Sequence, residues 1–195
     1  MIEIENFIDQ SSQDLIEDTV TSSAFHWHFN HHTIEPYLLD KEDAQKYVVP
    51  VGDNPYQFCH SVVIDSQKNT EYLNLIQPVI KQLARYLKKD IEIQRAKFNF
   101  LSQSNSTMYH WPHVDNNPNE DNDIKTLIYY VTDSDGDTFL FKETAPANNT
   151  VVTIDTQVTP KKGKVLMFDS HVFHASSSPN KFSKRIVLNI VFKIL

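Results

Sequence analysis

Apolar positions along this chain recur first at helical and then at strand spacing. Leu73, Ile76, Ile80, Leu83, Ala84 and Leu87 repeat every three or four residues, so residues 70–88 read as an amphipathic helix. Asn69 or Thr70 can cap its start, and Pro78 predicts a kink or a restart. A shorter, more polar helix is expected over residues 11–21. Residues 24–30 alternate as Phe25-His26-Trp27-His28-Phe29, the period of a strand with aromatics on one face and imidazoles on the other. His26 or His28 could then face a substrate cleft; no carboxylate or thiolate is interleaved to make a second metal site. Residues 36–54, punctuated by Pro50 and Gly52, read as irregular chain covering the mouth of a pocket, and residues 58–64 as a strand.

From residue 91 onward short strands follow one another. Residues 91–101 alternate, residues 116–123 are a polar loop, and residues 125–132 are rich in β-branched and aromatic side chains. Asp135-Gly136 has the chemistry of a hairpin turn leading into a strand at 138–142. Further strands are expected at 150–156, at 164–168 after a turn at 160–164, and at 185–192. The pattern predicts a mainly β (α+β) fold. Its core over 91–195 is a double-stranded β-helix, a jelly roll of the cupin-like kind, supported by helices and additional strands in 1–90. One domain spanning 1–195 is the expectation.

Composition narrows the functional classes. The chain has 195 residues, 40% of them hydrophobic, enough to bury a real core. Its single cysteine, Cys59, leaves no internal disulfide and fits a reducing compartment. The N-terminus is acidic and no apolar run reaches membrane-spanning length, so a soluble, cytoplasmic protein is expected. A net charge of −7 disfavours nucleic acid as a partner, since such binding rests on Lys and Arg neutralising phosphates. The clusters Lys161-Lys162-Gly163-Lys164 and 181–185 read as solvated loop charge. Abundant Asn and Lys beside sparse Arg and Ala resemble an AT-rich coding bias, as in phages and marine bacteria.

The candidate chemistry lies in His113-Val-Asp115, followed far along the chain by His174 and then by Arg185. Two imidazoles and one carboxylate make a facial triad that binds a divalent metal with coordination positions left open, as in non-haem Fe(II) oxygenases. On an extended strand residues i and i+2 share a face, about 6.6 Å apart at about 3.3 Å per residue, so His113 and Asp115 can grip one ion. His110 fails that test because position 112 is proline; His171 remains a competitor for His174. With Fe(II), Asp115, a dicarboxylate co-substrate and Arg185 assembled, the site is formally neutral, which matters because unpaired buried charge is costly. Lys184 is the alternative anchor, on the opposite face of the same strand.

These residues resemble the Fe(II)- and 2-oxoglutarate-dependent oxygenases, within them the prolyl 4-hydroxylase-like branch. The matching segments are YHWPHVDNN (109–117), TLIYYV (126–131) with Asp135-Gly136-Asp137, GKVLMFDSHVFH (163–174) and RIVLNIVF (185–192). Many such sequences have paired glycines where only Gly136 stands here. The resemblance implies His113, Asp115 and His174 as catalytic iron ligands, with Arg185 and Tyr130 (or Tyr129) binding the distal carboxylate of 2-oxoglutarate. It implies hydroxylation of a C–H bond by molecular oxygen, in a small molecule or in a peptidyl proline, with release of succinate and CO2. Two other classes compete: a non-catalytic jelly-roll metal or ligand binder, and a metal-dependent hydrolase or isomerase using the same triad.

Overall fold

The computed structural model describes residues 1–36, 47–115, 123–145 and 151–195. Among these residues two helices, α1 (Gln10–Thr21) and α2 (Leu73–Leu87), accompany eleven strands. These are β1 (Ile2–Ile4), β2 (His28–Asn30), β3 (Gln57–Ile64), β4 (Gln67–Lys68), β5 (Ile91–Ser102), β6 (Ile124–Tyr130), β7 (Thr138–Thr144), β8 (Ile154–Val158), β9 (Val165–Asp169), β10 (Val172–Ser176) and β11 (Lys184–Ile194). A major antiparallel sheet runs β1-β9-β6-β11-β5-β3-β2, with β4 attached to β3, and a minor sheet runs β10-β7-β8. The fold is the expected jelly roll with supporting helices.

Strand parity sorts the side chains of the major sheet into two layers. Leu127, Tyr129, Ile186, Leu188, Ile190, Ala96 and Phe98 face the helices and join Ile16, Val20, Ile76, Val79 and Leu83 in the larger core. Ile128, Tyr130, Leu166, Phe168 and Val187 face the other way and meet Leu140 and Val158 of the minor sheet. Alternate positions of one strand thus serve two different cores. The polar residues of that second layer are the ones that build the site.

Several local expectations are corrected. Asp135-Gly136 does not close a hairpin, because β6 and β7 belong to different sheets and do not pair. Instead the Asp135 carboxylate accepts the backbone N–H groups of Asn180, Lys181 and Phe182 at 3.1, 2.8 and 3.3 Å, fastening the chain just ahead of β11. The strand expected over 24–30 shrinks to His28–Asn30, because Phe25 turns inward to pack against the rings of Trp27, His60, Tyr72 and Phe98. Helix α2 begins at Leu73 with no side-chain cap and runs through Pro78 without a break; Asn69 instead donates to the Ser61 carbonyl. The strand expected at 150–156 lies at Ile154–Val158, where it pairs with β7. Most of the 116–123 loop and part of the 36–54 stretch fall outside the described residues.

Candidate active site

His113 lies outside every regular strand; it is held by an isolated antiparallel bridge to His174. The two residues exchange both backbone hydrogen bonds at 2.9 Å, so their rings stand side by side with centroids 4.4 Å apart. The strand expected to carry His113 and Asp115 at alternate positions does not form; the bridge to β10 holds His113 in its place, and His174 comes from a distant strand as expected. Asp115 follows, its backbone N–H donating to the Ser170 carbonyl. Ligand atoms of His113, Asp115 and His174 all lie within 4.8 Å of one another.

Both imidazoles are oriented the same way. Nδ1 of His113 lies 3.2 Å from the Trp111 carbonyl and Nδ1 of His174 lies 3.1 Å from the Val172 carbonyl, each two residues back. A carbonyl can only accept, so each Nδ1 carries a proton and each Nε2 is the nitrogen left for the cluster. Burial, and then the neighbouring His174, hold the His113 imidazole neutral with a pKa of about 3. For Asp115, burial favours the protonated acid, but Arg95, His174, His113 and the Asn189 amide outweigh it and keep the carboxylate ionised. Two imidazole nitrogens and one anionic carboxylate oxygen in a buried cluster are a donor set that fits a divalent iron.

The carboxylate is positioned by residues that sequence reasoning missed. Asp115 pairs with Arg95 of β5, accepts from Thr126 Oγ1 of β6 at 2.9 Å and from Asn189 Nδ2 of β11 at 3.1 Å. Arg95 also donates to Asn189 Oδ1, closing a triangle. Such outer partners fix ligand orientation and tune affinity.

The competitors sit elsewhere. His110 is enclosed between the Ser176 and Ser178 hydroxyls, each 3.1 Å from a ring nitrogen, and burial drops its pKa to about 3. His171 lies beside Asp169 rather than in the cluster. His28 shares the site-facing side of the sheet through its pairing with Cys59 but is exposed, while the His26 carbonyl accepts from His60.

Arg185 and Tyr130 converge. The guanidinium donates through Nε to the Gly136 carbonyl at 2.7 Å and through Nη2 to Thr138 Oγ1 at 2.8 Å; the Tyr130 hydroxyl donates to the same Oγ1 at 2.9 Å. Burial pushes the Tyr130 phenol up to about 12, against the pull of Arg185, so it remains a donor at neutral pH. Arg185 is 3% exposed, and no acidic side chain is bonded to it among the described residues. Tyr129, one position away, faces the helix-side core, and Lys184 has the opposite parity from Arg185 on β11. Gly136 permits this contact: a Cβ there would lie 2.6 Å from the Ser177 carbonyl oxygen and 3.0 Å from Arg185 Cδ.

Comparison with known proteins agrees with the geometry. Residues 98–193, about half of the chain, match the model of the 2OG-Fe(II) oxygenase superfamily. No curated protein sequence matches. Among solved structures the fold resembles the non-haem alpha-ketoglutarate-dependent epimerase SnoN from nogalamycin biosynthesis, with a TM-score of 0.62 at 9% identity over 98% of this chain and 76% of that one. It also resembles the viral collagen prolyl hydroxylase of Paramecium bursaria Chlorella virus-1, with a TM-score of 0.54 at 14% identity over 100% and 96%. A prolyl hydroxylase from Trichoplax adhaerens, solved with a hypoxia inducible factor peptide fragment, gives 0.56 at 13% identity over 98% and 82%. No helix among the described residues is long and apolar enough to cross a membrane. The chain belongs to the 2OG-Fe(II) oxygenase superfamily, with a prolyl-hydroxylase-like fold, and is a dioxygenase that uses Fe(II) and 2-oxoglutarate.

Proposed function

We propose that His113, Asp115 and His174 hold Fe(II), that Arg185 and Tyr130 hold the distal carboxylate of 2-oxoglutarate, and that the enzyme hydroxylates a C–H bond with release of succinate and CO2. One strand supports this reading best. On a single face of β11, Asn189 bonds the Asp115 carboxylate while Arg185, four residues earlier and about 13 Å away along the strand, meets Tyr130. Metal end and anchor end are thus set at a fixed spacing by one rigid element.

When bound, Fe(II) and 2-oxoglutarate supply the oxygen activation that side chains cannot perform. The chain's own residues orient and exclude water. Nδ1–H bonds to the Trp111 and Val172 carbonyls keep Nε2 of His113 and His174 on the metal side. Arg95, Thr126 and Asn189 hold the Asp115 carboxylate. Gly136 and Thr138 pre-orient Arg185, whose planar fork can meet a carboxylate with two parallel hydrogen bonds. A peptidyl proline is the first substrate to test, in keeping with the prolyl hydroxylases among the similar structures. Arg185→Ala should raise the Kd for 2-oxoglutarate by about 100-fold, the worth of a buried charge-assisted pair, with Fe(II) affinity retained. Unchanged 2-oxoglutarate affinity would transfer the anchor to Lys184.

A further inference from the structure

Strand β5 carries a polar stripe that metal and co-substrate do not use up. Arg95, Lys97 and Asn99 share one face, while Ala96 and Phe98 on the other are fully buried in the apolar core. Register places the stripe beside the metal site: Lys97 lies opposite Asn189 on β11 and opposite Ser61 on β3, and Asn99 lies opposite Val187 and Cys59. Cross-strand partners stand about 5 Å apart, so Lys97 neighbours the residue that bonds Asp115.

Among the described residues, three polar atoms on this stripe have no partner. Arg95 Nε and Asn99 Oδ1 are buried without a hydrogen bond, and the Lys97 ammonium makes neither hydrogen bond nor ion pair among the described residues. Burial, then repulsion from Arg95, lowers the Lys97 pKa; Cys59 and Asp115 only partly oppose this. Lys97 is nonetheless only half-buried, so a ligand can reach it. Buried polar atoms left unpaired are rare unless a ligand or water meets them, and of these Arg95 Nε and the Lys97 ammonium are donors.

The charge balance has the same sense. Fe(II), Asp115, 2-oxoglutarate and Arg185 together are neutral, so Arg95 and Lys97 leave surplus positive charge next to the iron. Asp115 is the one carboxylate of the described residues that meets Arg95, and it also serves the metal cluster.

We propose that Lys97 and Arg95 seat a carboxylate of the substrate, so that the enzyme oxidises a carbon near an acidic group. This rests on the oxygenase reading above and names its substrate class. The reaction balances as one C–H bond broken and one C–OH bond formed. One oxygen atom of O2 enters the alcohol and the other enters succinate, while 2-oxoglutarate loses CO2.

The experiment uses protein loaded anaerobically with Fe(II) and 2-oxoglutarate, whose chelate gives a visible absorption band. Paired probes are added: L-proline against L-prolinamide, and N-acetyl-prolyl-glutamyl amide against its glutaminyl counterpart. The first pair tests a free α-carboxylate and the second an acidic side chain in a peptide. Binding is read as a shift of the band, and turnover as gain of one oxygen atom by mass after O2 is admitted. At least one acid should bind about tenfold or more tighter than its amide, the size of one charge-assisted contact. Lys97→Gln should erase that preference without changing the Kd for 2-oxoglutarate, and Lys97→Arg should keep it. No acid outbinding its amide, or a preference that survives Lys97→Gln, would overturn the proposal. A loss of 2-oxoglutarate affinity in Lys97→Gln would do so too, assigning the lysine to the co-substrate. Absence of the band in the unmodified protein is a different failure, that of the oxygenase reading itself.

Discussion

Thr126→Val isolates how the fold prepares its metal carboxylate. Thr126 is fully buried on β6 and donates to Asp115 Oδ2 at 2.9 Å. Valine keeps the shape and removes only the hydroxyl, so Asp115 loses one of its three side-chain donors among the described residues while Arg95 and Asn189 remain. A hydrogen bond to an ionised group contributes about 1.5–3 kcal/mol. Independently, loss of an outer partner of a metal ligand costs about 10–100-fold in metal affinity, or about 1.4–2.8 kcal/mol. The two estimates overlap near 2 kcal/mol, which predicts roughly thirtyfold weaker Fe(II) binding. Anaerobic Fe(II) titration measures this, and urea unfolding measures the accompanying loss of stability. Thr132→Val is the control: Thr132 Oγ1 accepts from the Ile186 backbone, so its loss should lower stability yet leave Fe(II) affinity alone. If Thr126→Val binds Fe(II) as tightly as the unmodified protein, the idea that β6 orients the ligand is wrong.

Two further outcomes follow from the same geometry. Gly136→Ala drives a Cβ against Ser177 backbone and Arg185 Cδ, so it should weaken 2-oxoglutarate binding about tenfold or more while Fe(II) binding persists; equal 2-oxoglutarate affinity would show that Arg185 is not the group being held. In metal-free protein, His110 and His113 each have a pKa of about 3 against 6.5 for the unfolded chain. Between those values the unfolded chain binds protons that the folded protein excludes, so stability falls as pH falls, by up to about 1.4 kcal/mol per pH unit for each histidine. His110→Gln should remove one of these two slopes in urea unfolding between pH 6.5 and 4, and an undiminished slope would contradict the burial of a neutral His110.

Residue order made the metal cluster legible in the sequence, and strand parity made the layers of the fold legible, although the strand parity invoked for His113 and Asp115 is not what brings them together. His113, Asp115 and His174 are distinctive residue types in a distinctive order, and β11 reads as a strand from its run of apolar residues. Parity likewise separates Tyr130 from Tyr129 once Leu127 and Thr126 are assigned to opposite layers. What could not be read was register. Arg95, Thr126 and Asn189 sit on three strands distant in sequence, and only the pairings of β5, β11 and β6 bring them to one carboxylate. A signal was present nonetheless: Asn189 is the single polar residue within the apolar run of β11, and Arg95, Lys97 and Asn99 put a polar face where the opposite face is core. The turn at Asp135-Gly136 misled because the same residues serve a hairpin and a link between two sheets. Turn chemistry fixes local backbone, whereas sheet membership depends on what the next strand packs against.

The central claim is that this chain holds Fe(II) through His113, Asp115 and His174 and uses it with 2-oxoglutarate. The most direct test adds Fe(II) and 2-oxoglutarate to the purified chain without oxygen, records the visible spectrum, and then measures succinate after oxygen is admitted. A charge-transfer band followed by oxygen-dependent succinate, both abolished in His174→Ala but retained in His171→Ala, is the predicted result. A folded, iron-loaded protein that gives neither band nor succinate would contradict it.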